Sequence, residues 1–224
     1  DVCSSDLTQP PQFFVDFIQN HDQTGNRAQG ERLISLAGAD KTRVLLAALL
    51  LSPHIPLLFM GEEFAETHPF LFFTDFHGEL AKAVREGRAK EFTGHAGQDE
   101  TVPDPNDVNT FIRSKLDWNK IATDEGKTWL RYTRHLLTLR HRYIVPLLHP
   151  GGAVEGHVLK TAPGMVAVSW RFPSGTLSLA LNIGTKPVDL PALAGETRFA
   201  WPEVNDVLPP NGIVVRFADG EASL

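Results

Sequence analysis

The chain has 224 residues, 42% hydrophobic and 21% charged, with a formal net charge of −6, an ordinary globular composition with room for one good-sized core or two modest ones. It has no basic cluster, so nucleic acid is not an expected partner, because phosphate binding is driven by grouped Lys and Arg. The longest apolar run, Val44 to Leu51 and weakly on to Phe59, is broken by Ser52, Pro53, His54 and Pro56; it falls short of the about 20 residues a spanning helix needs, and no membrane partner is expected.

Residues 1–7, Asp-Val-Cys-Ser-Ser-Asp-Leu, read as a non-native leader joined to a coding segment, without an initiator Met or the parts of a secretory signal. They hold the one cysteine, Cys3, so no disulfide is available, which fits a reducing, cytoplasmic location. Phe13 to Ile18 is aromatic and β-branched and ends in Gln19-Asn20-His21-Asp22, which predicts a strand with polar groups at its C-terminal end. After glycines 25, 30 and 38, Asp40 is placed to cap a helix reaching Leu51, apolar nearly all round, and Ile55 to Met60 predicts a second buried strand ending in Glu62 and Glu63. Strand, helix and strand with runs that do not alternate predict a parallel βαβ unit covered on both faces.

A long excursion follows, with a helix over Glu79 to Phe92 and a Pro- and Asp-rich loop around Val102 to Asp107. Gly126 to Ile144 predicts the best helix: Trp129, Leu136 and Tyr143, and Leu130, Leu137 and Ile144, recur every seven residues, and Pro146 and Pro150 stop it. After Gly151 the period becomes two. Val166, Val168, Trp170 and Phe172, then a turn at Pro173-Ser174-Gly175, then Leu177, Leu179, Leu181 and Ile183 predict an antiparallel hairpin with one buried face. Ile213, Val215 and Phe217 add a strand, and the last 70 or so residues read as a small all-β domain.

The cluster best able to carry chemistry is Asn20-His21-Asp22-Gln23, with Asn26 and Arg27 behind it. A carboxylate beside a histidine at the mouth of a parallel strand can hydrogen-bond vicinal sugar hydroxyls, act as a general base or bind a metal; it can also simply brace a loop. Neighbouring parallel strands lie about 5 Å apart, so Glu62 and Glu63 can share a pocket with it. Asn26 and Arg27 can order the loop or touch a ligand, and Phe70, Phe72, Phe73 and Phe76 can stack on a sugar or form core under the loop.

Phe17-Ile18-Gln19-Asn20-His21-Asp22-Gln23 followed by Gly25-Asn26-Arg27 and Gly30-Glu31-Arg32-Leu33 resembles the seventh-strand motif of the malto-oligosyltrehalose trehalohydrolases, a branch of glycoside hydrolase family 13, the α-amylase superfamily. Pro56-Leu57-Leu58-Phe59-Met60-Gly61-Glu62-Glu63-Phe64 is similar to the eighth-strand motif, and Pro69 to Phe76, Glu79 to Phe92 and Ser114-Lys115-Leu116-Asp117-Trp118 extend the likeness. Thr24 departs from the family's β-branched apolar residue.

The resemblance implies an α/β plus all-β fold: residues 8–150 as the C-terminal part of a (β/α)8 TIM barrel, strands 7 and 8 with their helices, and residues 151–224 as an antiparallel β-sandwich domain. It implies a retaining hydrolase releasing trehalose from maltooligosyltrehalose or a related α-glucan, with no cofactor, although calcium serves some relatives. Of the three carboxylates such an enzyme uses, the nucleophile and the general acid precede the seventh strand. The third, the transition-state stabiliser, falls on Asp22. His21, Asn20 and Gln23 would bind the same sugar, with Asn26, Arg27, Glu62 and Glu63 behind them and no metal ligand among them. A glucan branching enzyme would share Asp22, and a non-catalytic carbohydrate-binding module would rest instead on Trp170 and Trp201 of the β domain.

Overall fold

The computed structural model describes residues 10–92, 102–149 and 154–220; residues 1–7 with Cys3, and Pro150, lie outside them. In chain order the elements are β1 (Val15–Asp16), α1 (His21–Gly25), α2 (Leu33–Ala37), α3 (Ala39–Leu51), β2 (Ile55–Pro56), α4 (Gly78–Phe92), α5 (Val108–Arg113), α6 (Asp124–Leu139) and then seven strands. These are β3 (Glu155–Ala162), β4 (Met165–Phe172), β5 (Gly175–Asn182), β6 (Val188–Asp189), β7 (Glu196–Trp201), β8 (Val207–Leu208) and β9 (Gly212–Asp219). The chain forms two compact units: one of residues 1–18, 39–57 and 131–224, the other of residues 19–38 and 58–130.

In the first unit β1 and β2 pair in parallel, Val15 with Ile55 and Asp16 with Pro56, as the apolar runs predict. Each strand is shorter than expected. A parallel ladder needs a partner on both sides to be extended and covered, and here each strand has one; Phe13 forms part of a 3-10 turn instead, and Val15, Ile55 and Leu57 remain exposed. The expectation of burial on both faces is therefore not met in this chain. Helix α3 begins at Ala39, so Asp40 lies in its first turn and not at the expected cap, but it meets the expectation of burial: Val44, Leu46, Ala47, Leu49, Leu50 and Leu51 are all buried.

The five-stranded antiparallel sheet runs β3-β4-β5-β9-β7, with Phe172 opposite Gly175 across the Pro173-Ser174 turn. The prediction of one buried face needs correction, because the central strand β5 is covered on both sides. Leu177 and Leu179 face one way, with Leu177 and Val215 beside Leu51, Leu139 and Ile144 around a small apolar cavity. On the other side Met165, Ala167, Ala180 and Val214 pack under Leu193 and Leu208, the latter from the two-stranded β6-β8 ribbon. Polar residues on that side misled the alternation. Asn182 is fully buried because its Nδ2 donates to the Lys186 and Leu208 carbonyls and its Oδ1 accepts from Gly184 N–H, so none of its polar groups is stranded.

Of the predicted stripe of α6, Trp129, Leu136 and Ile144 are buried and Leu130, Leu137 and Tyr143 half-buried; the unexpected Thr133 and Arg140 are buried with them, and the stripe ends in a π turn, Arg140–Ile144, before a 3-10 turn at Val145–Leu148. Arg140 occupies a stripe position for a reason. Its Nη1 donates to the carbonyls of Leu50 (3.0 Å) and Ser52 (2.6 Å) and its Nη2 to that of His54 (2.6 Å), so a buried cation closes the carbonyl end of α3. Desolvation holds its pKa below the usual guanidinium value. Replacing Arg140 by Met keeps the stem and removes all three bonds; stability is expected to fall by about 2–4 kcal/mol, read as a lower urea midpoint at unchanged slope.

Candidate active site

The second unit holds the Asn-His-Asp segment. Asn20 has extended backbone and caps α1: its Oδ1 accepts from Gln23 N–H at 2.8 Å and its carbonyl accepts from Thr24 N–H at 3.0 Å. That cap turns the chain so that His21 and Asp22 open the helix, with side chains 70% and 73% exposed and His21 Nε2 3.5 Å from Asp22 Oδ1. Gln23 and Asn26 are also exposed, Asn26 ending the helix with its N–H on the Asp22 carbonyl. Arg27 is engaged with Glu31 through two bonds of 3.1 and 3.2 Å, an arrangement that orders the loop.

The glutamates predicted beside this cluster are arranged differently from it. Glu62 is buried on a 3-10 turn, Glu62–Phe64, where its Oε1 accepts from Gln19 Nε2 at 2.8 Å and its Oε2 from Phe59 N–H at 3.1 Å. Gln19 completes the bridge by accepting from Leu33 N–H at 3.0 Å. Burial pushes the Glu62 carboxyl up to about 7 against these bonds and the charge of Arg32, and Glu63, half-buried next to it, adds to the rise. Asp22 is thus open to solvent while Glu62 is enclosed as a bracing group.

Besides Arg140, three buried charges among the described residues escaped the sequence reading. Arg32 is 1% exposed; its Nε donates to the His68 carbonyl at 2.7 Å, its Nη1 to that of Met60 at 2.6 Å, and its guanidinium lies 4.9 Å from the centre of the Phe59 ring. Desolvation holds its pKa below the usual value, against the charges of Glu66, Glu62 and Glu63. Glu66 accepts from the N–H groups of Thr67, His68 and Asp117. Gly61 makes this possible: at φ +85° its place would set a Cβ 2.6 Å from that of Glu66. The third, Arg88 of α4, donates to the carbonyls of Gly25 and Arg27.

The phenylalanines divide. Phe70 meets Phe59 and Phe73 edge-on at 5.4 and 5.7 Å, Phe73 meets Phe111 at 5.2 Å, Phe72 lies against Arg88, and Phe76 is exposed. Met60, Phe70, Phe73, Phe111 and Trp118 line an open, mostly apolar cleft of about 490 Å3, with Trp118 among the most exposed large side chains. Among the described residues no three His, Cys, Asp or Glu side chains gather as a metal site, and no helix is long and apolar enough to cross a membrane.

No family model matches the chain. It is 49% identical over 146 residues to the malto-oligosyltrehalose trehalohydrolase of Deinococcus radiodurans, covering 65% of this chain and 24% of that one. To the enzyme of the same name from Brevibacterium helvolum it is 37% identical over 189 residues, covering 84% and 31%. Among solved structures, a provisionally named alpha amylase from Salmonella typhimurium superposes with a TM-score of 0.91 at 65% identity, over 95% of this chain and 36% of that one. The isomaltulose synthase SmuA from Protaminobacter rubrum superposes with a TM-score of 0.56 at 15% identity, over 91% and 42%, a likeness of fold alone.

Over most of its own length the chain is similar to glycoside hydrolases of the α-amylase superfamily. Within that superfamily its likeness is to the C-terminal part of the malto-oligosyltrehalose trehalohydrolases, and it spans about a quarter to a third of the length of these curated relatives.

The enclosed Glu62 gives a pH dependence with a defined sign. A carboxyl whose pKa rises from 4.5 to about 7 on folding keeps its proton longer in the folded state, so its contribution to stability is full below pH 4.5, falls as pH rises to about 7, and is flat above. The swing is on the order of 3 kcal/mol. A Glu62→Gln variant does not titrate there, so its melting temperature relative to the unaltered protein is expected to climb between pH 4.5 and 7. Parallel pH profiles for the two proteins would contradict the assignment.

Proposed function

We propose that this chain is the C-terminal part of an enzyme that hydrolyses the α-1,4 bond next to the terminal trehalose unit of maltooligosyltrehalose, releasing trehalose in the cytoplasm. The observation that carries the reading is the exposed His21-Asp22 pair on a turn capped by Asn20 and anchored by the buried Gln19. An open carboxylate on a fixed turn suits the stabilising role, because its bonds to sugar hydroxyls must strengthen as the oxocarbenium-like transition state forms. In this reading His21, Asn20 and Gln23 contact the same sugar, and Asn26, Arg27, Glu62 and Glu63 support the loops around it. The names of the curated relatives support the substrate class.

The parallel β1-α3-β2 unit is read as the last two strands of a (β/α)8 barrel whose C-terminal part is residues 8–150, and residues 151–224 as the β-sandwich domain that follows. The exposed Phe13, Val15, Ile55 and Leu57 support it, since the neighbouring strands and helices of a closed barrel would cover them. The nucleophile and general acid belong to the barrel strands that precede Asp22 in the parent enzyme. The parent works on a neutral glucan, without a nucleic-acid or membrane partner.

In the full-length enzyme Asp22→Asn is expected to lower turnover by about 1,000-fold with the fold intact, measured as trehalose released from maltooligosyltrehalose and checked by circular dichroism. Turnover near that of the unaltered enzyme would remove Asp22 from the chemistry. Product analysis of the same reaction separates this reading from the one suggested by the name of the Salmonella typhimurium protein: free trehalose for one, maltooligosaccharides cut internally for the other. The 224-residue chain alone is expected to release no trehalose and to aggregate, as light scattering of the purified polypeptide would register.

A further inference from the structure

We propose that Arg88, from α4 in the excursion after β2, is a positioning residue for Asp22, fixing the turn that carries the carboxylate by closing the carbonyl end of α1. The proposal rests on the reading of Asp22 given above. Among the described residues the Asp22 side chain has one polar neighbour, the exposed His21. Its location is therefore set by its backbone, and whatever holds α1 holds the carboxylate.

Helix α1 is five residues long, too short to satisfy its own last carbonyls. The Asp22 carbonyl is taken by Asn26 N–H at 3.0 Å and that of Thr24 by Arg27 N–H at 3.2 Å. The Gly25 carbonyl is taken from outside: Arg88 Nη2 donates to it at 2.6 Å and reaches the Arg27 carbonyl at 3.1 Å. A positive charge at this end also complements the helix dipole.

The guanidinium is itself immobilised. It is 7% exposed, lies against the rings of Phe72 and Phe92 at 5.2 and 4.6 Å, and donates through Nη1 to Glu91 Oε2 at 2.9 Å. A group held by two rings and a carboxylate cannot follow a moving loop, so the loop is tied to it. A second tie lies nearby. Phe70 N–H donates to the Gly30 carbonyl at 2.8 Å, and Gly30, at φ +60°, would bring a Cβ within 2.5 Å of the Phe70 carbonyl oxygen. The segment from Gly25 to Gly30 thus hangs on residues of the excursion, which acquires a role in catalysis without touching substrate.

The test is made in the full-length enzyme. Arg88→Met keeps the aliphatic stem between the rings and removes every donor; kcat is expected to fall about 10- to 100-fold while KM stays within about threefold, since the bonds of Asp22 matter most in the transition state. Arg88→Lys, which keeps a cation and a donor, is expected to recover part of the loss, and it decides the question by the same criterion if the Met variant does not fold. In an Asp22→Asn background Arg88→Met is expected to cost nothing further, because residues acting through one another are not additive. A kcat within about twofold of the unaltered enzyme in a folded Arg88 variant, or a full further loss in the Asp22→Asn background, overturns the proposal. Undiminished turnover by Asp22→Asn alone is a different result: it overturns the reading of Asp22, and the role of Arg88 with it.

Discussion

Carbonyl groups left over at the ends of short helices and tight loops must find donors once water is excluded, and this chain supplies them with buried guanidinium groups. Arg140 closes the end of α3, Arg88 the end of α1, and Arg32 the loop carbonyls of Met60 and His68. In all three the charge points at backbone oxygen and the flat fork makes more than one bond, a geometry that a lysine cannot reproduce. The cost of removing three cations from water is offset differently in each. Arg32 has the charges of Glu62, Glu63 and Glu66, Arg88 has Glu91 and two aromatic faces, and Arg140 relies on three carbonyl dipoles.

The same economy of partners separates the carboxylates. Glu62 and Glu66 spend their lone pairs on Gln19 and on the N–H groups of their own and neighbouring loops, so they shape backbone. Asp22, the second residue of α1, has its side chain in solvent. A carboxylate already saturated by buried donors has little left to offer a ligand, whereas an exposed one on a braced turn can still accept. The division of roles follows from burial.

Much of this was legible in the sequence where a period of two or of 3.6 carries the information. The hairpin at Pro173-Ser174, the β9 strand, the stripe of α6 and the parallel pairing around α3 all come from such patterns. The second buried face of β5 was hidden because Ser178 and Asn182 look polar, and their burial depends on bonds that Asn182 finds in a loop and in the β6-β8 ribbon. Likewise Gln19 reads as one more polar residue at a strand end, although its amide spans 43 residues to Glu62. Arg88 and Arg140 did leave a trace. Ala81, Val84 and Arg88 follow helical spacing, as do Thr133, Leu136 and Arg140, so each arginine occupies the inward position of its stripe. A cation at a position that should be apolar is a readable sign of buried hydrogen bonding, and it points at carbonyls because no acidic partner sits within a helical turn of Arg140.

The turn that carries Asp22 is braced from within its own unit. Gln19 is fixed by Glu62, Gly25 and Arg27 by Arg88, and Gly30 by Phe70, all from residues 62–88 of the same chain. The ladder between β1 and β2 is two residues long and leaves apolar side chains uncovered, so regular pairing contributes little to the precision of this turn. Side-chain bonds to backbone do what a longer ladder would otherwise do, and they are local to one unit.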